Sequence, residues 1–268
     1  MRHRSAALVA AIAAVSVLAA ACAPALSATA TSPLELTVYA AASLKGTLEQ
    51  IAPAYALEMP GVTLTISTGA SSALRTQIEQ GASADVFLSA DTQHPAALVE
   101  AGFAAGDARV FAANELTIIK PVDAPRIVDL VDLADPGVKI VAAGDAVPIT
   151  KYANQVVANL AALDGYPAGF ADAYAANVVS REDDVRAVVA KIELGEGDAA
   201  IVYRTDALAA DAIAVINVPD GANVLATYAG VVIKSSVHLA EATAFLDWLI
   251  RPEGQAILAS LGFSSRSP

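Results

Sequence analysis

The sequence predicts an α/β fold in which parallel strands alternate with helices. Two matched units and a third strand carry this prediction. In the first unit an apolar run at 36–40 leads into Ser43 and a helical pattern, and in the second a run at 62–67 leads into Ser71 and another helical pattern. A third apolar run, at 85–91, closes the set. Such alternation favours parallel sheets with right-handed crossovers.

The helices are predicted from apolar periodicity and from start and stop signals. The helix at 45–57 places its apolar residues on one face and ends before a Pro-Gly pair, and the helix at 72–80 ends at a glycine. Thr150 and Ser180 fit the N-caps of two later helices. The remaining predicted helices span 95–101, 129–134, 150–163, 168–175, 182–194, 239–250 and 252–261.

Further strands are predicted from short runs of apolar and β-branched residues. They span 116–119, 138–142, 177–179, 199–203, 213–218 and 227–233. Open α/β sheets bind ligands at the carboxyl ends of their strands, which is where Ser43 and Ser71 fall. Helix N-termini offer unpaired N–H groups and a partial positive charge, so this pattern suits an anion.

Composition limits the partners of the protein. The 268 residues are 56% apolar, which is ample for a buried core in one large domain or two lobes. The formal net charge of −12 argues against nucleic acid and anionic membrane surfaces as partners. An anionic ligand would have to be held by local dipoles and donors.

The first 21 residues are typical of a secretory signal peptide, with basic residues at 2–4 and an apolar stretch at 6–21. That stretch is shorter than the roughly 20 residues of a spanning helix, which disfavours a membrane anchor. Cys22 follows in a context that resembles a bacterial lipoprotein cleavage site, so we expect lipidation there and a tether at 22–33. The alternative is secretion after cleavage near Ala28. We expect an exported protein, lipid-anchored to the outer face of the cell membrane or otherwise periplasmic or secreted.

Several motifs resemble those of one protein family. They are VYAAASL at 38–44, the runs at 69–78 and 81–91, Val147-Pro148 with Tyr152-Ala153, EDDVR at 182–186, the run at 197–203 and the terminal Gly262-Phe263. In combination these motifs resemble the molybdate-binding proteins of bacterial ABC transporters. The resemblance extends from about residue 34 to the end of the chain.

This resemblance implies a two-lobed type II periplasmic binding protein fold with two hinge crossovers. Lobe 1 would comprise 34–113 plus 228–268, and lobe 2 would comprise 114–227. The protein would capture molybdate, and tungstate as well, between the lobes and deliver it to the membrane permease of an ABC transporter. We expect a monomer that is not an enzyme and carries no cofactor.

The resemblance also implies the oxyanion-binding residues. Ser43 and Ser71 would donate through hydroxyl and N–H groups, Ile149 and Val185 through N–H groups, and Tyr203 through its phenol hydroxyl. The molybdenum would be held as molybdate through these same residues. The family usually has a small pair after Val-Pro, where this chain has Ile149-Thr150, so Thr150 is an alternative donor. Each residue also has a plainer interpretation, the serines as helix caps and the others as core packing.

Three other functions fit the sequence less well. A binding protein for another oxyanion, such as sulfate, thiosulfate or phosphate, or for a small organic anion, is the nearest alternative. A serine hydrolase is remote, because the segment 69–73 lacks the last glycine of a nucleophile elbow. The histidines beyond the leader, His94 and His238, are expected on the surface rather than beside a serine. A sensory domain of the same fold is disfavoured by the signal peptide.

Overall fold

A mixed five-stranded sheet forms the larger part of the fold. The computed structural model describes residues 33–124 and 126–264, so the predicted signal peptide, Cys22 and nearly all of the predicted tether lie outside the described residues. The sheet has the order β2-β1-β3-β10-β4. Its strands are β1 (Leu34–Ala41), β2 (Val62–Gly69), β3 (Val86–Ser89), β4 (Arg109–Asn114) and β10 (Ala226–Val232). β1 pairs with β2 and β3 in parallel, and β10 is antiparallel to β3 and β4.

Two smaller sheets form the rest. The first has the order β8-β5-β9, with β5 antiparallel to both neighbours, and the second pairs β6 and β7 in parallel. Their strands are β5 (Leu116–Pro121), β6 (Ile140–Ala143), β7 (Val178–Glu182), β8 (Ala200–Tyr203) and β9 (Ile213–Asn217). A bridge between Ile140 and Ala199 links the two sheets.

Helices cover both groups of strands. They are α1 (Lys45–Glu58), α2 (Ser71–Glu79), α3 (Gln93–Glu100), α4 (Pro148–Ala161), α5 (Phe170–Ala176), α6 (Val185–Glu193), α7 (Arg204–Leu208), α8 (Leu239–Ile250) and α9 (Pro252–Ser260). Short 3-10 turns at Ala42–Leu44 and Leu130–Ala134 add to them. Within the described ranges, no helix combines the length and the apolar character that a membrane span requires.

Aromatic packing marks the core. Tyr55 of α1 packs on Phe245 and Trp248 of α8, with ring centroids 5.0 and 5.2 Å apart. The ring centroid of Tyr228 in β10 lies 5.5 Å from that of Tyr203 at the end of β8. This aromatic pair therefore connects the five-stranded sheet to the three-stranded one. Burying such large rings supplies much of the stabilisation of a core.

Two crossovers connect the five-stranded sheet to the smaller ones. β4 runs into β5 through Glu115, and β9 returns to β10 through the segment 218–225. Asn223 of the returning segment hydrogen-bonds the main chain of Leu116, with its amide oxygen accepting from the N–H at 3.1 Å and its amide nitrogen donating to the carbonyl at 3.0 Å. This side chain holds the two crossovers together.

The parallel pairing predicted from strand and helix alternation is wrong for part of the molecule, where the strands are antiparallel. Parallel pairing holds where a helix connects neighbouring strands, as α1 connects β1 to β2. β4 and α7 were not predicted. β4 begins and ends with polar residues and follows β3 through a helix, and α7 comprises only five residues.

Both predicted helix caps are also wrong. Ser180 lies in β7, and the cap of α6 is Asp184, whose carboxylate accepts from the N–H groups of Arg186 and Ala187. Thr150 lies inside α4, which begins at Pro148 after the N-cap Val147. Proline suits the first position of a helix because its missing N–H has no partner there.

Candidate functional site

The five residues predicted for oxyanion binding line one pocket of about 210 Å³. The lining consists of Ala41, Ala42, Ser43, Gly69, Ala70, Ser71, Ala90, Val147, Pro148, Ile149, Asp184, Val185 and Tyr203. Small residues dominate, so a ligand can approach the main chain closely. No lysine or arginine is among these lining residues, and Asp184 is the one carboxylate.

Four helical segments begin at this pocket. They are the turn at Ala42–Leu44 that leads into α1, and the helices α2, α4 and α6. The first N–H groups of a helix have no partner within it, and the helix dipole adds a partial positive charge there. Four such N-termini around one small volume form an anion-binding environment without a full positive charge.

Ser71 is oriented by the main chain of the next strand. Its side chain is 1% exposed and makes no cap hydrogen bond with α2. Its Oγ accepts from the N–H of Ala90 at 3.1 Å. The hydroxyl hydrogen is therefore left for another acceptor, and the interpretation of Ser71 as a plain helix cap is wrong.

Ser43 has a different partner. It lies in the 3-10 turn before α1 and likewise makes no cap hydrogen bond. Its Oγ is 3.0 Å from the Oη of Tyr228, and both side chains are buried.

Ile149 and Thr150 differ in which donors are free. The Thr150 hydroxyl donates to the carbonyl of Ala143 at 2.9 Å, and the Thr150 N–H donates to the carbonyl of Val147 at 3.0 Å. Pro148 has no N–H. Within the described residues, the N–H of Ile149 donates to no other group, so it is the donor that this turn offers to the pocket.

Val185 combines apolar packing with a free donor. Its side chain is buried, with 4% exposure, in the main core cluster. The Asp184 carboxylate caps the N–H groups of Arg186 and Ala187 at 2.8 and 3.0 Å. The N–H of Val185, at the first position of α6, is not used by this cap.

Tyr203 carries the least satisfied polar atom of the pocket. The residue is 1% exposed, and its hydroxyl has no hydrogen-bond partner within residues 33–124 and 126–264. Burial raises the pKa of its phenol well above the usual value, and the nearby hydroxyls of Tyr228 and Tyr152 raise it further. The group is therefore a neutral O–H donor. An unpartnered buried hydroxyl is costly, so its position at the pocket indicates an acceptor supplied by a ligand.

The pocket as a whole presents hydrogen-bond donors. Within residues 33–124 and 126–264, no group of three or more His, Cys, Asp or Glu side chains has the arrangement of a metal site. The donor set suits a ligand with several acceptor oxygens and no proton to give.

Comparison with known proteins establishes the family. The profile of the bacterial extracellular solute-binding proteins matches residues 36–264. The chain belongs to this family. The molybdate-binding protein ModA of Mycobacterium tuberculosis (strain H37Rv) is 33% identical over 231 residues, which are 85% of this chain and 84% of that protein.

Solved structures agree on the fold. The periplasmic molybdate-binding protein of Azotobacter vinelandii is 27% identical with a TM-score of 0.72, over 87% of this chain and all of that one. The sulfate-binding protein SubI of Mycobacterium tuberculosis has a TM-score of 0.79 at 22% identity, over 88% of each chain, and this likeness concerns the fold alone. This solute-binding protein therefore has the two-lobed periplasmic binding fold.

Several neighbours of the pocket in this solute-binding protein carried no clear sequence signal. Tyr228 was predicted only as part of a strand. Asp91, two residues after β3, is 3% exposed and accepts from Ser89 Oγ at 2.9 Å and from the His94 N–H at 3.1 Å. The expectation that His94 lies on the surface is wrong, because its side chain is only 15% exposed. Burial, more than any other cause, lowers the pKa of His94.

A larger cavity adjoins the pocket at Ser43. It is open to solvent, has a volume of about 870 Å³ and is also lined by Gln50, Arg186 and Asp206. Ser43 therefore forms part of the wall between the two spaces.

Proposed function

We propose that this solute-binding protein captures molybdate, and also tungstate, between its lobes and delivers it to the permease of an ABC transporter. The observation that carries the proposal is the buried, unpartnered hydroxyl of Tyr203 in a pocket of free donors. The names of the M. tuberculosis and A. vinelandii relatives support molybdate as the ligand.

We assign each lobe part of the site. Lobe 1 comprises 34–113 plus 228–268, and lobe 2 comprises 114–227, with the boundaries near the two crossovers. Ser43 and Ser71 then belong to lobe 1, and the other three donor residues to lobe 2. A ligand that accepts from both groups would favour the closed arrangement by bridging them.

The free energy of binding can come from neutral donors alone. The seven donors are the hydroxyl and N–H groups of Ser43 and Ser71, the N–H groups of Ile149 and Val185, and the hydroxyl of Tyr203. At about 1.5–3 kcal/mol each, they contribute roughly 10–20 kcal/mol before desolvation and ordering are subtracted. A net of about 8–12 kcal/mol corresponds to micromolar to nanomolar affinity. Thr150 is not needed as a donor, because its hydroxyl and N–H groups are already used.

Another tetrahedral dianion remains the second candidate, because the donors do not distinguish sulfate from molybdate chemically. Discrimination would come from the size of the cavity, since Mo–O bonds are longer than S–O bonds.

Calorimetric titration of the mature protein with molybdate, tungstate and sulfate tests the proposal. We expect the first two to compete for one site and sulfate to bind at least about 100-fold more weakly, a difference near 3 kcal/mol. Sulfate binding as tight as molybdate binding would contradict the assignment.

We also propose that Cys22 is lipidated and anchors an exported, monomeric protein to the outer face of the cell membrane. The sequence context of Cys22 supports this, with residues 22–33 as the tether. Labelled fatty acid fed to expressing cells should appear on the protein and be lost in Cys22→Ser. Wild-type protein without label would contradict lipidation and leave a secreted form.

A further inference from the structure

The two serines of the pocket are held in different ways. Ser71 Oγ accepts from the Ala90 N–H, which can only donate, so the direction of that hydrogen bond is fixed. Ser43 has a hydroxyl partner, Tyr228, and either oxygen of this pair is able to donate. The direction of the Ser43 hydrogen bond therefore decides whether Ser43 has a hydrogen left for a ligand.

The surroundings of Tyr228 favour one direction of this hydrogen bond. Tyr228 and Asn114 are both 0% exposed. The Nδ2 of Asn114 donates to Thr205 Oγ1 at 2.8 Å, and the Oδ1 of Asn114 has no partner in the described part of the chain. Asn114 of β4 pairs with Ala226, two residues from Tyr228 on the neighbouring strand β10. Burial raises the pKa of the Tyr228 phenol well above its usual value, so its hydroxyl stays protonated and has a hydrogen to donate.

An amide nitrogen has two hydrogens, so Asn114 Nδ2 can serve Thr205 and Tyr228 together. A Tyr228 oxygen that accepts from Asn114 leaves its own hydrogen free to point at Ser43, and the proposed function needs the Ser43 hydrogen for the ligand. In that arrangement Ser43 Oγ accepts, as Ser71 Oγ does from Ala90.

We propose that Tyr228 is a positioning residue for the oxyanion: held by Asn114, its hydroxyl donates to Ser43 and turns the Ser43 hydrogen towards the ligand. This inference rests on the proposed function, since it assumes that the pocket binds an oxyanion. Tyr228 does not line the pocket, so it acts through Ser43.

The proposed series of hydrogen bonds joins Thr205, Asn114, Tyr228 and Ser43. It therefore also connects Ser43 to both crossovers. Asn114 ends β4 at the first crossover, and Tyr228 lies in β10 just after the second. Thr205 belongs to α7, which packs against β5 and β8 of the smaller sheet. The orientation of a donor in the proposed lobe 1 thus depends on a contact from the proposed lobe 2.

Calorimetry with molybdate on a double-mutant cycle tests the inference. We expect Tyr228→Phe to weaken binding about ten-fold, because one charge-assisted donor loses its orientation. In the Ser43→Ala background, Tyr228→Phe should have no further effect. Tyr55→Phe is the matched control, since Tyr55 is another fully buried tyrosine, its hydroxyl has no partner and it lies outside the pocket. It should bind molybdate like the wild type.

Two results would overturn the inference while wild-type binding is intact. One is unchanged affinity in Tyr228→Phe, and the other is an equal loss with and without Ser43, which would indicate packing alone. Thermal unfolding of the apo variants shows which of them fold. If Tyr228→Phe does not fold, Asn114→Ala takes its place in the same cycle with the same expected coupling to Ser43. A wild-type protein that binds none of molybdate, tungstate and sulfate would contradict the proposed function itself.

Discussion

At the scale of single residues, Tyr203 gives the sharpest prediction. Its buried hydroxyl has no partner among the residues that the structure describes, so its removal should not destabilise the apo form. We expect Tyr203→Phe to weaken molybdate binding about 10- to 100-fold, the loss of one hydrogen bond to a charged ligand. Calorimetry and thermal unfolding of the apo protein measure the two effects. A variant with lower stability and unchanged affinity would show that the hydroxyl serves the core.

Thr150 should show the opposite behaviour. Its hydroxyl donates to the Ala143 carbonyl inside the protein. We expect Thr150→Val to lower the free energy of unfolding by about 1–2 kcal/mol, because a buried carbonyl loses its partner. Molybdate affinity should change less than about three-fold. The corresponding change in binding free energy is smaller than that of one hydrogen bond to a charged ligand. Denaturant unfolding and calorimetry provide the measurements. A large loss of affinity with unchanged stability would make Thr150 the donor instead of Ile149.

The sequence alone identified some of these residues and not others. Ser43 and Ser71 follow from a local rule, small hydroxyl residues where a strand meets a helix. Ile149 and Val185 contribute main-chain N–H groups, which any side chain could accompany, so only the family resemblance pointed to them. The partners of the serines, Ala90 and Tyr228, come from distant parts of the chain, and no local pattern predicts such contacts.

At the scale of elements, the short helix α7 carries a titratable group in its first turn. Asp206 is 4% exposed, and burial raises the pKa of its carboxyl from 3.8 to about 7. The positive charge of Arg186 opposes this rise, and the Asp184 carboxylate adds to it. The folded state therefore binds a proton that the unfolded state has released between these two pKa values.

The free energy of unfolding should consequently fall as the pH rises from about 4 to about 7. At about 1.4 kcal/mol per pKa unit, Asp206 accounts for a change of up to about 4 kcal/mol. In Asp206→Asn this contribution should disappear. Denaturant unfolding across this range measures it, with Asp211→Asn as an exposed control. Parallel curves for the wild type and Asp206→Asn would contradict the burial argument.

The errors in the predicted elements have a common cause. The N-cap of α6 was predicted at Ser180, yet strand β7 continues through that residue because it pairs with β6. The order of strands β8-β5-β9 likewise depends on tertiary pairing. Periodicity and capping patterns describe one segment at a time, so they predicted that most elements exist without fixing their ends or partners.

At the scale of the whole molecule, net charge should govern the rate of capture. The chain carries a formal charge of −12, which repels a dianion at long range. Raising the ionic strength from about 0.01 M to about 0.15 M shortens the screening length from about 30 Å to about 8 Å. We expect the association rate of molybdate to rise over this range, measured by stopped flow. A falling rate would indicate a positively charged entrance.

The central claim is that one small pocket of neutral donors holds the oxyanion between the lobes. A crystal of the mature protein grown with molybdate tests it most directly, because the anomalous signal of molybdenum locates the ion. The account predicts one strong peak between Ser43, Ser71, Ile149, Val185 and Tyr203, with the Tyr203 hydroxyl donating to an oxygen of the ion. A peak outside this pocket, or a bound ion that leaves the Tyr203 hydroxyl without a partner, would contradict it.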